Sequence, residues 1–249
     1  DGRQRLTALV RYLKNEYPLA GLKVWSELNG DRYSDLQAKK LDVSLTRRFV
    51  PAVVLLKESS PEVKYDVFER LNTGGLNLNA MEIRNAVYRG GFTDLLHLCA
   101  AAKSFRELWG IPSAPKRRDK NLLYMRMYDL EQVLRYFALS AAQKDKEARP
   151  AFKTYLGHFM AARNSQYEKE PELRTSDKAR FERAVDNCLA MLGPDAFYRS
   201  SVRSAPLADA LMYALESFTD DQRANGRVRQ AVQSARAKLL SSAKFDECL

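Results

Sequence analysis

Apolar residues recur at helical spacing almost from the first position of the chain. Leu6, Leu9, Val10 and Leu13 fall at i, i+3, i+4 and i+7, one face of a helix that runs to about Tyr17 and is stopped by Pro18. Residues 21–34 set Leu22, Val24 and Trp25 against the turn signal Asn29-Gly30-Asp31, which predicts a small hairpin. Asp35 to Leu45 reads as helix. The β-branched run from Phe49 to Leu56 (F-V-P-A-V-V-L-L) suits a buried strand, with Pro51 placing it near an edge or at its start. Ser60 followed by Pro61 opens a helix that carries Val63, Val67, Phe68 and Leu71 inward and ends at Asn72-Thr73-Gly74-Gly75. Asn79 and Glu82 stand at capping-box spacing and open the next helix, through Ile83 and Val87 to a stop at Gly90-Gly91.

From Phe92 onward the pattern is helix after helix, at about 93–109, 121–142, 149–165, 176–192, 205–217 and 224–243, with no strand signal and no internal repeat. The expected fold is α+β and predominantly α: a small sheet with helices in residues 1–92, then an irregular helical bundle over 93–249.

Composition narrows the picture. Hydrophobic residues at 45% and charged residues at 29% are those of a chain with a packed core. There is no apolar run long enough for a membrane span and no signal-peptide pattern, so the expected location is cytoplasmic and no membrane partner is expected. Cys99, Cys188 and Cys248 stand far apart without neighbouring histidines, which argues against a zinc site; Cys99 and Cys188, in apolar helical surroundings, read as buried inert thiols. The formal net charge of +10 favours a polyanionic partner, although the excess is spread along the chain. Its sharpest cluster, Lys116, Arg117, Arg118 and Lys120, reads equally as a nucleic-acid contact or a solvated loop.

Two segments concentrate chemistry. Asp1-Gly2-Arg3-Gln4-Arg5 reads as a turn into a helix N-terminus, where unpaired amides, the helix dipole and the Arg5 guanidinium form an anion cradle. Phe68-Glu69-Arg70-Leu71-Asn72-Thr73-Gly74-Gly75, followed by Glu82 and Arg84, gathers amides, hydroxyls and guanidinium groups about one loop; a plain helix–helix connection with glycine and asparagine caps accounts for the same residues.

Taken together, D-G-R-Q-R-L-T-A-L and F-E-R-L-N-T-G-G-L-N-L-N-A-M-E-I-R-N-A-V-Y resemble the two signatures of the N-terminal domain of GmrSD-type restriction enzymes. The helix R-M-Y-D-L-E-Q-V-L-R-Y-F-A-L at 126–139 extends the likeness, which weakens after about residue 160. The resemblance implies a ParB/sulfiredoxin-like fold, with the small sheet a remnant of it, that binds a nucleoside triphosphate with Mg2+. It implies a catalytic set of Asp1, Gln4 and Arg5, and phosphate contacts from Gly2, Arg3, Asn72, Thr73, Gly74, Gly75, Glu82 and Arg84. Position 3 departs from the family pattern, being arginine where glutamine is usual. The family's upstream aromatic segment is absent, so the chain is expected to be an N-terminally truncated fragment whose missing part completes the site.

The expected function is that of a nucleotide-binding, NTP-hydrolysing and DNA-engaging module of an anti-phage restriction system. Its partners would be DNA, a nuclease subunit or domain and a second copy of the chain. A non-catalytic DNA-binding or partner-docking domain, or a ParB-like DNA-nicking nuclease, fits the same residues. His97 and His158 sit in apolar helical contexts and read as core or boundary side chains, which leaves no His-Asn-His nuclease centre. Tyr124, Tyr128, Tyr136 and Phe137 have the spacing of a helix core as well as that of base-stacking rings, and Glu131 with Arg135 reads as a surface i, i+4 pair.

Overall fold

The computed structural model describes residues 2–49, 59–71, 78–143, 150–242 and 245, with the backbone alone at residues 2–5, 61, 62, 68, 69 and 71. The chain divides into two compact units, Asp1–Leu56 and Lys57–Leu249.

In the first unit helix α1 (Gly2–Leu13) ends short of the expected Tyr17, because Asn15 takes a left-handed backbone with φ 63°. The amides of Asn15 and Glu16 then close onto Tyr12 O at 2.8 Å and Arg11 O at 3.0 Å. Asn15 also holds the next helix, accepting from Ser34 N at 3.1 Å and, through its carbonyl, from Arg32 Nη1 at 2.7 Å. The hairpin expected over 21–34 is a loop instead. Leu19 shares backbone hydrogen bonds with Gly30 and Asp31, and the Asn29 side-chain amide occupies the Leu22 amide and carbonyl at 2.9 and 3.1 Å, so a side chain stands where a second strand would pair. The helix expected over Asp35–Leu45 breaks in two, α2 (Tyr33–Ala38) and α3 (Asp42–Thr46), at Lys40 with φ 54°. Tyr12, Leu28 and Leu36 form a small core. The stripe Leu6, Leu9, Val10 and Leu13 remains 36–53% exposed. Phe49, the start of the expected strand, is exposed and outside any strand, and Val50 to Leu56 lie outside the described residues.

The second unit opens with α4 (Pro61–Leu71), on which Val63 faces solvent at 53% exposure rather than inward. Helices α5 (Ala80–Val87), α6 (Gly91–Ala100) and α7 (Lys103–Trp109) follow. Next come the short α8 (Pro115–Arg118) and α9 (Leu122–Met125). The long helices are α10 (Tyr128–Ala142), α11 (Phe152–Lys169) and α12 (Leu173–Leu192). The helix expected over 121–142 is interrupted at Met127, whose left-handed backbone (φ 52°) starts α10 in a new direction. After α12 a two-residue hairpin, β1 (Tyr198–Arg199) and β2 (Val202–Arg203), pairs antiparallel with Tyr198 opposite Arg203. This corrects the expectation of no strand beyond Phe92: two residues per strand carry no readable alternation. The hairpin is held by long-range arginines, Arg203 Nε to Leu108 O and Arg236 Nη2 to Tyr198 O, both at 2.7 Å. Helices α13 (Ala205–Leu215), α14 (Asp220–Ala224) and α15 (Gly226–Leu240) complete the unit. The fold is α+β and predominantly α, its strands among the described residues lying in this hairpin.

Aromatic rings fill the centre of the bundle. Phe92 meets Phe137, Phe159 and Tyr167 edge-on at 5.5–5.7 Å, and Phe181 packs on Phe105, Tyr136 and Phe137. Of the four rings read together on one helix, Tyr136 and Phe137 are core, whereas Tyr124 and Tyr128 are more than a third exposed on the two sides of the Met127 break. Cys99 and Cys188 are buried free thiols, as expected; Cys248 lies outside the described residues. Burial pushes the Cys99 thiol up to about 12, away from the reactive thiolate.

The α5–α6 corner depends on one buried amide. Asn164 Oδ1 accepts from Phe92 N at 2.9 Å and Thr93 N at 3.3 Å, and its Nδ2 donates to Tyr88 O at 3.2 Å. A Cβ on Gly90 would stand 2.5 Å from Asn164 Oδ1, so the glycine stop is there to admit this side chain. Gly90→Ala is expected to destabilise the protein by about 2 kcal/mol, measured by urea unfolding; Gly193→Ala, which meets nothing within 4 Å but keeps a positive φ of 79°, separates backbone strain from crowding.

Candidate functional site

The residues singled out from the two motifs fall into three groups. Gly2, Arg3, Gln4 and Arg5 form the first turn of α1, so Gly2 is already helical rather than in a preceding turn, and this turn contains no acidic residue. Amides in a first turn lack intrahelical acceptors, the property that an anion cradle requires. Asp1, Asn72, Thr73, Gly74 and Gly75 lie outside the described residues. Glu82 and Arg84 stand on α5, in the second unit.

Helix α5 begins with the predicted capping box. Asn79 Oδ1 accepts from the amides of Met81 and Glu82, both at 2.9 Å, and Glu82 Oε2 accepts from Asn79 N at 2.6 Å. Both capping side chains also reach across the fold, Asn79 Nδ2 to Arg126 O at 2.6 Å and Glu82 Oε2 to Arg126 Nη2 at 3.1 Å. Sequence spacing shows the local half of this arrangement; the tie to Arg126 joins residues far apart in the chain.

Arg84 is 1% exposed. Its Nη2 donates to Lys153 O at 2.7 Å and its Nη1 lies 3.8 Å from Glu131 Oε2, while Nε and Nη1 have no hydrogen-bond partner. Glu131 therefore faces Arg84 and not, as expected, Arg135, which forms a forked pair with Asp209 and stacks on Phe152 at 4.9 Å. A buried cation with one firm acceptor and one distant carboxylate depends strongly on both.

The second unit also contains a cleft of about 460 Å³, where α6, α7, α9 and α10 meet and where His97, Arg106, Asp119, Tyr124, Met127 and Asp129 contribute to the walls. Sequence patterns alone did not point to it. Asp129 is 4% exposed and accepts from Leu130 N at 2.9 Å. Burial raises its carboxyl to about 6, against the opposite pull of the helix-start amides and of Arg106. His97, read as core or boundary, is exposed on α6 and bonds Asn85 Oδ1 through Nε2 at 2.9 Å; His158 is exposed on α11. Tyr124 lies under the Arg118 guanidinium at 4.8 Å. No group of three or more potential metal ligands occurs among the described residues.

With this geometry in view, comparison with known proteins locates the motifs. Residues 1–89 match the model of the GmrSD restriction endonuclease, N-terminal domain. Both signatures fall inside the match, which bears out the resemblance and ties this stretch to restriction systems. The match runs to Arg89, immediately before the Gly90 corner, so Glu82 and Arg84 lie inside it and their partners Arg126, Glu131 and Lys153 lie outside the matched residues. No curated protein and no solved structure matches the chain. No helix among the described residues is long and apolar enough to cross a membrane.

Two measurements probe these groups. Arg84→Ala is expected to cost about 3 kcal/mol of stability in urea unfolding, whereas a side chain serving only a ligand would leave stability unchanged. Asp129 has a folded-state value of about 6 against an ordinary 3.8, so it favours the folded state below about pH 4 and progressively penalises it as pH rises through 6. The stability of Asp129→Asn relative to the unmodified protein should therefore increase by about 3 kcal/mol from acid to neutral pH; a pH-independent difference would show that the carboxyl titrates normally.

Proposed function

We propose that this chain is a nucleotide-binding and DNA-engaging module of a bacterial anti-phage restriction system, taking a nucleoside triphosphate with Mg2+ and hydrolysing it. The match of residues 1–89 to the GmrSD restriction endonuclease N-terminal domain carries the reading. It is supported by the first turn of α1, whose amides lack intrahelical acceptors and whose sequence includes Arg3 and Arg5 and no acidic residue. In this reading Arg5 neutralises phosphate charge, Gln4 and Asp1 orient the attacking water and the metal, and Gly2 lets the backbone approach. Asn72, Thr73, Gly74 and Gly75 supply the second wall. Glu82 and Arg84 act at one remove, fixing the start and the inner face of α5. DNA engagement is supported by the net charge of +10. A nuclease partner supplies cleavage.

A nucleoside triphosphate with Mg2+ at about 100 times its dissociation constant should stabilise the protein by roughly 2.7 kcal/mol, seen as a rise in melting temperature, and Arg5→Ala should abolish both that shift and phosphate release. An unchanged melting temperature, combined with DNA binding that ignores nucleotide, would instead identify a non-catalytic DNA-binding domain. Conversion of supercoiled plasmid to open circles by the protein and a divalent metal would identify a nickase.

A further inference from the structure

We propose that the cleft between α6, α7, α9 and α10 receives a guanine base from an unpaired nucleic-acid strand, with the flanking phosphates on the α8 segment. The inference rests on the DNA-engaging part of the function above and assigns it a place and a ligand. The first observation is Asp129, a carboxylate 4% exposed in the wall of a cleft of about 460 Å³, with the Leu130 amide on one oxygen. An ionised carboxylate is acceptor-only, so the ligand it favours brings donors. Arg106, in the same cleft, is donor-only; its Nε is engaged with Ala100 O at 3.3 Å, and its remaining guanidinium donors suit an acceptor on the ligand. Guanine carries both on adjacent edges: N1–H and the N2 amino group lie side by side on the Watson–Crick edge, matching the two oxygens of a carboxylate, and O6 with N7 on the neighbouring Hoogsteen edge is the preferred target of arginine. Cytosine and adenine offer one donor group beside a ring acceptor, and thymine flanks its single N–H with two carbonyls that would face the carboxylate unfavourably.

The second observation is the lining. Tyr124, Met125 and Met127 give the cleft flat and polarisable walls for a base, and the Arg118 guanidinium over Tyr124 holds that ring in place. The third is the rim. Asp119 lines the cleft between Arg118 and Lys120 in sequence, and Lys116 and Arg117 on α8 and Lys120 are exposed. A base seated in the cleft therefore has cations beside it for its own strand's phosphates. A base stacked and paired in a duplex does not reach such a site, which selects unpaired or extruded nucleotides.

Fluorescence anisotropy with the full chain tests this, using a short labelled oligo-dT, the same strand with one central guanine, and that strand with inosine in the guanine's place. The guanine strand should bind about tenfold tighter than oligo-dT, and inosine, lacking the N2 amino group, should lose most of that gain. Asp129→Asn, a variant expected to be at least as stable at neutral pH, should bind guanine and thymine strands alike. Lys116→Glu, Arg117→Glu and Lys120→Glu together should weaken every strand without changing the preference. Equal binding of the two strands by the unmodified protein, or a guanine preference that survives in Asp129→Asn, overturns the proposal. A labelled duplex separates the two failures: duplex binding without any guanine effect leaves DNA engagement standing and removes the base site, whereas no binding to either duplex or single strand removes both.

Discussion

A guanidinium withdrawn from water is the constraint on which the second unit depends. Arg84 carries a guanidinium into the interior, so its burial is tolerable only while Lys153 O and Glu131 remain where they are. That requirement couples α5 to α10 and α11 at one point. The capping pair Asn79 and Glu82, both engaged with Arg126, fixes the same helix at its other end. Helix α5 is thus held both at its start and along its inner face.

Buried amides organise the remaining corners in a similar way. Asn164 satisfies the start of α6 and the end of α5 at once, and Asn187 donates from α12 to the carbonyls of Leu215 and Phe218, where α13 gives out. Helix ends leave backbone groups without partners, and in a bundle whose core is ringed by Phe92, Phe137 and Phe181 water cannot serve them. Each asparagine therefore sets which helix end meets which neighbour, while the aromatic rings supply the apolar burial.

The two candidate sites differ in chemistry. The motif-bearing stretch offers backbone amides and arginines, chemistry suited to phosphate and typical of a site built from loop and helix start. The cleft around Asp129 offers the reverse, a buried carboxylate beside methionine and tyrosine side chains.

The chain by itself determined most of its helices, their caps and the likeness of its first 89 residues to the GmrSD N-terminal domain: apolar residues at helical spacing, Asn79 with Glu82, Ser60 with Pro61, and two signatures whose residues are contiguous. These are local properties, decided within one or two helical turns, and they survive in any tertiary context. Tertiary structure decided the rest. Asn29 replaced a hairpin partner, Met127 split a helix that periodicity runs together, Arg135 chose Asp209 over the nearer-in-sequence Glu131, and a short hairpin formed where its own Arg203 and Arg236 of α15 tie it to the bundle. The cleft could not be read in advance for the same reason: Asp129 has an ordinary helix-start sequence, and only the packing of α6 and α7 over it removes the water that would keep its carboxyl ordinary.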